Sequence, residues 1–122
     1  MAANAPARRG LGRESRIKQG RDFMKLRQAG QRAVRGCLIA NWLHRPGADR
    51  SRLGVVVSKK VGGSVVRSRV KRLLRESFRL HQYEFARPLE LVLVARPAIA
   101  GRSFADVERD FLGTLRAAHL LK

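Results

Sequence analysis

The chain has 122 residues, with 27 Lys and Arg against 9 Asp and Glu, a formal net charge of +18. Its single cysteine excludes an internal disulfide, and no apolar run approaches the ~20 residues of a membrane span. Hydrophobic residues make up 44% of the chain, enough for one core, so the composition describes a folded basic domain and not a basic tail. A compact body with this charge repels itself and calls for an anionic partner or acidic surface. The lone Cys37 fits a reducing compartment, so a cytoplasmic location is expected. His44, His81 and His119 are scattered without metal-ligand spacing.

In chain order, the opening MAANAPARRGLGRES is rich in Ala and Arg and nearly free of acid. An organelle transit peptide shares that character, but the segment reads better as a flexible basic arm over residues 1–15, followed by a single domain over residues 16–122. Residues 21–30 predict a short helix, with Phe23 and Leu26 on one face and Gly30 as its C-terminal cap. Residues 33–47 alternate loosely and stop at Pro46-Gly47, which predicts one or two strands. Residues 47–52 are a loop by composition. Residues 53–58 (LGVVVS) and 89–95 (LELVLVA) are continuous apolar runs of strand length, expected to be central and covered on at least one face.

Between those strands lies VVRSRVKRLLRESFR, residues 65–79, with six cations and one carboxylate. Wound at ~100° per residue, it gathers Val66, Val70, Leu73, Leu74 and, just beyond, Leu80 on one side. Lys71, Arg72, Arg75 and Arg79 gather opposite with Ser68, and Arg67 and Arg69 fall on the borders. Like charges one turn apart repel, and only Glu76 relieves them. Gly62-Gly63 precede this helix, with Ser64 as its expected N-cap. A second long helix begins at Ser103, with Asp106 in capping-box spacing, and Val107, Phe111, Leu115 and Ala118 recur on one side. Strand, helix, strand and helix make an α+β fold, a small sheet of about four strands with helices packed on it.

Catalysis by side chains finds little support. Asp106, Glu108 and Asp110 belong to the last helix and Glu90 to a strand face. No paired carboxylates stand beside a histidine, and GVVVSKKVGGS lacks the Walker spacing. Arginine, 21 of the 27 cations, suits phosphate through planar, bidentate hydrogen bonding. Nucleic-acid binding therefore leads.

The stretch SKKVGGSVVRSRVKRLLRE resembles the signature of the bacterial ribonuclease P protein subunit. Ser58, Lys59, Lys60, Gly62, Arg67, Arg69, Lys71, Arg72, Arg75 and Glu76 match it, and the resemblance extends from about Arg16 to Leu120. It implies the protein half of a ribonucleoprotein that removes the 5′ leader of precursor tRNA, its partners being ribonuclease P RNA and precursor tRNA. No membrane is implied, and no protein partner is predictable. It implies that the RNA is the catalyst and holds the Mg²⁺, with none bound by the protein alone. The implied fold is a four-stranded sheet with an unusual left-handed β-α-β crossover, of the ribosomal protein S5 domain 2-like kind, where the general rule favours a right-handed one. Lys59, Lys60, Arg67, Ser68, Arg69, Lys71, Arg72 and Arg75 would face RNA, and Phe23, Arg27 and Asn41 would line a leader cleft. Ser68, Gly63, Arg27 and Asn41 depart from the family's usual Asn, Asn and two aromatics, which favours electrostatic contact over stacking. A structural RNA-binding protein of the ribosomal type and a DNA-binding module are the alternatives.

Overall fold

The computed structural model describes residues 30–122. The expected arm and the expected first helix, with Phe23, Leu26 and Arg27, lie outside the described residues. The segment read as one or two strands is two, β1 (Gln31–Arg35) and β2 (Leu38–His44), joined as a hairpin. Only Gly36 and Cys37 connect them, and so tight a turn needs a positive φ, which Gly36 supplies at 57°. A Cβ at Gly36 would also lie 2.1 Å from Asp110 Oδ2. That same oxygen accepts the Cys37 N–H at 3.0 Å.

The remaining elements are β3 (Arg52–Val56), α1 (Ser64–His81), β4 (Leu89–Ala95) and α2 (Phe104–Ala117). Strand order is β1-β2-β4-β3, with β4 antiparallel to β2 and parallel to β3. Parallel neighbours cannot be closed by a tight turn, so α1 forms the crossover between β3 and β4, as expected. β4 is central, but β3 is an edge strand, which corrects the expectation for its apolar run. That run reports cover by α1 over Leu53 and Val55, and a strand's lateral place in a sheet leaves no mark on apolarity. Leu38, Ala40 and Trp42 of β2 join Leu89, Leu91, Leu93 and Ala95 of β4 in the core beneath the helices. Asn41 and Val92, paired across β2 and β4, face away.

Val70, Leu73, Leu74, Ser77 and Phe78 are the buried residues of α1. Val66, expected on that stripe, is 36% exposed and Leu80 is half-buried. Phe78 fills the place further along, meeting Phe85 edge-on with ring centroids 5.7 Å apart. Ser77 is tolerated there because its hydroxyl donates to the Leu73 carbonyl at 3.1 Å. The N-cap is Gly63, not Ser64, and no side chain caps this end. At α2 the expected cap holds: Ser103 Oγ accepts the Asp106 N–H at 3.2 Å. Val107, Phe111 and Leu115 are buried. His119 then adopts a left-handed φ of 59°, and the Leu120 N–H returns to the Leu115 carbonyl at 2.9 Å. This helix end tucks Leu120 into the core.

His81, the last residue of α1, lies between two carboxylates, with Nδ1 2.5 Å from Glu84 and Nε2 2.7 Å from Glu108. Burial opposes its charge, but hydrogen bonds to Glu108 and Glu84 outweigh burial and raise its pKa above the ordinary 6.5. A raised folded-state pKa stabilises fully below the unfolded value, and the gain is lost as pH rises through the folded value. Between about pH 6 and about pH 8 the thermal midpoint should therefore fall further in the unaltered protein than in His81→Asn. Parallel melting curves of the two proteins across that range test the clamp, and superimposable pH profiles would remove it.

Candidate nucleic-acid interface

The residues before α1 form a tight, anchored loop. Val61 is buried in the core, its N–H bonds to the Ser58 carbonyl at 3.1 Å, and Lys59 and Lys60 are left exposed. Gly62 is needed because a Cβ there would come within 2.9 Å of Val66 Cγ1. The Arg67 guanidinium closes the loop by donating from Nε to the Gly62 carbonyl at 3.2 Å. No acidic residue stands in the first turn of α1, so the positive end of the helix dipole adds to Lys59, Lys60 and Arg67.

Along α1, Ser68 and Arg72 are exposed, while Arg67, Arg69, Lys71 and Arg75 are half-buried. The structure thus brings all eight expected RNA-facing residues together on the loop and the outer side of one helix. Arg69 has a further role that the sequence pattern did not reveal. Its guanidinium donates to the Arg102 carbonyl at 2.9 Å, tying α1 to the segment just before α2. Arg67 and Arg69 each use one of five N–H donors in this way, which keeps the rest for a partner. Glu76, the sole carboxylate of the helix, forms a two-pronged pair with Arg79, its Oε1 accepting Arg79 Nε at 2.8 Å. That hydrogen bond holds the Glu76 carboxyl below its usual range, so the acid is answered within its own turn and leaves Lys71 and Arg72 uncompensated.

Asn41, expected at the leader cleft, lies on the sheet face away from α1 and α2, between Arg32 of β1 and Val92 of β4. Trp42 points the other way and is buried. Phe23 and Arg27 lie outside the described residues. Arg32 and Arg52 share Asn41's face by register. Glu90 on that face is 9% exposed, with Arg52 at 3.4 Å and Arg45 at 3.9 Å.

Fold and site together define a small basic α+β protein that carries a cationic helix and loop on one side of its sheet. The sequence profile of the Ribonuclease P family matches residues 11–119. A ribonuclease P protein component from Alkaliphilus metalliredigens is 35% identical over 107 residues, covering 88% of this chain and 96% of that one. Its counterpart from Gluconacetobacter diazotrophicus is 38% identical over 109 residues, covering 87% and 92%. Among solved structures, the Staphylococcus aureus RNase P protein superposes with a TM-score of 0.81 at 25% identity, covering 88% of this chain and 98% of that one. The Thermotoga maritima protein gives a TM-score of 0.75 at 26% identity, covering 84% and 96%. The chain belongs to the ribonuclease P protein component family, the protein subunits that work with ribonuclease P RNA in tRNA 5′ processing.

The two sides of α1 should separate in a mutational test. Leu74 is fully buried, and Leu74→Ala should cost about 2–5 kcal/mol of stability. Arg72→Ala should leave the melting curve unchanged, weaken RNA binding, and lower the salt slope by roughly 0.7–0.9 for one lost phosphate contact. Equal destabilisation by the two changes in circular-dichroism melts would contradict the division of faces.

Proposed function

We propose that this subunit lays the outer side of α1 and the Lys59-Lys60 turn on ribonuclease P RNA and adjoining substrate, and that the sheet face bearing Asn41 receives the 5′ leader of precursor tRNA. The observation that carries the reading is the segregation on one rigid helix of a buried apolar side from Arg67, Ser68, Arg69, Lys71, Arg72 and Arg75. Such an array neutralises phosphates of a folded RNA through its backbone and shape. Family membership supplies the identity of that RNA. Phe23 and Arg27 complete the leader contact in this reading, with Asn41 offering an amide that both donates and accepts.

In this reading the RNA would hold Mg²⁺, which would supply metal-assisted hydrolysis there. Among the described residues, no group of three or more His, Cys, Asp or Glu is placed to hold a metal ion. Most of their acids are committed elsewhere, Asp110 to Cys37, Glu90 to Arg52 and Arg45, Glu84 and Glu108 to His81, Glu76 to Arg79 and Asp106 to Arg109. The polypeptide's part is to bind, to orient, and to lower the repulsion between two RNAs, so that less divalent ion is needed. No described helix is long and apolar enough to cross a membrane, and the reading places the holoenzyme in the cytoplasm.

Purified protein added to ribonuclease P RNA at low Mg²⁺ should stimulate cleavage at the 5′ end of mature tRNA, and the protein alone should leave precursor tRNA intact. Cleavage by rigorously RNA-free protein would overturn the reading.

A further inference from the structure

Tyr83 stands apart from every other described aromatic. Trp42, Phe78, Phe85 and Phe111 are buried, Phe104 is half-buried, and Tyr83 is 48% exposed. It sits in the short turn Gln82–Glu84 that follows α1. An 18-residue helix is about 27 Å long, so this ring lies at the far pole from Lys59 and Lys60.

The ring is held on a fixed scaffold. Phe85 bridges to Leu121, the Ala86 N–H donates to the Leu120 carbonyl at 2.8 Å, and the Lys122 N–H donates to the Glu84 carbonyl at 2.8 Å. His81 grips Glu84 from the other side. Presenting a ring from a turn so tightly bonded costs little ordering entropy on binding. A shallow hollow of about 260 Å³ opens beside it, lined in part by Arg50, Ser51, Arg87 and Lys122. A second hollow adjoins it, with Arg116 and His119 on its wall. The acids there are Asp49, on the first hollow, and Glu84, on the second and engaged with His81.

An exposed ring among arginines matches unpaired nucleotides, whose bases stack on aromatic faces while cations hold the phosphates. We propose that Tyr83, with Arg50, Arg87 and Arg116, forms a second contact that takes one unpaired nucleotide of ribonuclease P RNA. The proposal rests on the reading above, in which the same rigid body lays α1 on that RNA. A large folded RNA is the partner able to reach both poles of one domain at once.

The test measures assembly of full-length protein with ribonuclease P RNA by fluorescence anisotropy, and then binding of precursor tRNA by the assembled holoenzyme. Tyr83→Ala should weaken assembly about 5- to 150-fold, whereas Tyr83→Phe should preserve it. Arg87→Ala should reduce the salt slope of assembly by roughly 0.7–0.9. Melting curves of all three should match the unaltered protein, because the side chains are exposed. Arg72→Ala serves as the reference for the α1 contact. Weaker assembly for Arg72→Ala with unchanged assembly for Tyr83→Ala would overturn the second contact alone, while unchanged assembly for both would overturn the reading on which it rests. A loss for Tyr83→Ala confined to precursor tRNA binding would overturn the assignment to ribonuclease P RNA.

Discussion

The parallel pairing of β3 with β4 is the constraint from which the rest of the molecule follows. Two parallel neighbours require a crossover, and the crossover must lie along the sheet to cover it. Here that crossover is α1, so its course is set by the sheet beneath it. Val70, Leu74 and Phe78 are fully buried on the core side, and Ser68 and Arg72 can only point outward. One end of the helix lies by the loop after β3, the other by the turn before β4. The cationic side of α1 is thus a by-product of how a sheet closes over its core, which keeps its charges in fixed register.

A second theme is where a chain so rich in cations puts its few acids. With a net charge of +18, a carboxylate scattered at random on the surface would weaken the field the protein presents. Instead most described acids join elements. Asp110 links α2 to the β1–β2 turn, Glu90 gathers Arg45 and Arg52 at the sheet's away face, and Glu84 and Glu108 meet at His81. Hydrogen bonds to the Cys37 N–H and thiol, aided by Arg109 and Arg102, outweigh burial and hold the Asp110 carboxyl below its ordinary range. These bonds join elements that helix and sheet hydrogen bonding alone does not connect, and they leave the outer side of α1 almost purely cationic.

Much of this was legible in the sequence because the relevant signals are local. The run LELVLVA coincides with β4 residue for residue, and the Ser103 cap and the stripe of α2 follow from spacing. Matching motif spacing carried the family, and the cations it singled out fall together on the loop before α1 and on α1 itself. What was not legible depends on partners distant in sequence. The edge position of β3 follows from which strand pairs with which. The exposure of Val66 follows from where the helix begins relative to its support. The Arg69 bond to the Arg102 carbonyl spans 33 residues, and nothing in either segment announces it. Ser64 was a reasonable cap by residue type, yet the chain begins its helix one position earlier in register, with Gly63 at the boundary.

The Asp110–Cys37 contact bears on how the protein can be handled at the bench. Cys37 is 1% exposed, and burial, followed by its hydrogen bond to Asp110, pushes its thiol up to about 12. Thiolate is the species that reacts with maleimides and disulfides, so at neutral pH the native sulfur is both shielded and protonated. As it is the only cysteine in the chain, a cysteine introduced on the surface would be the single reactive thiol. A dye or cleavage reagent could then be attached at one chosen point without first removing the native residue.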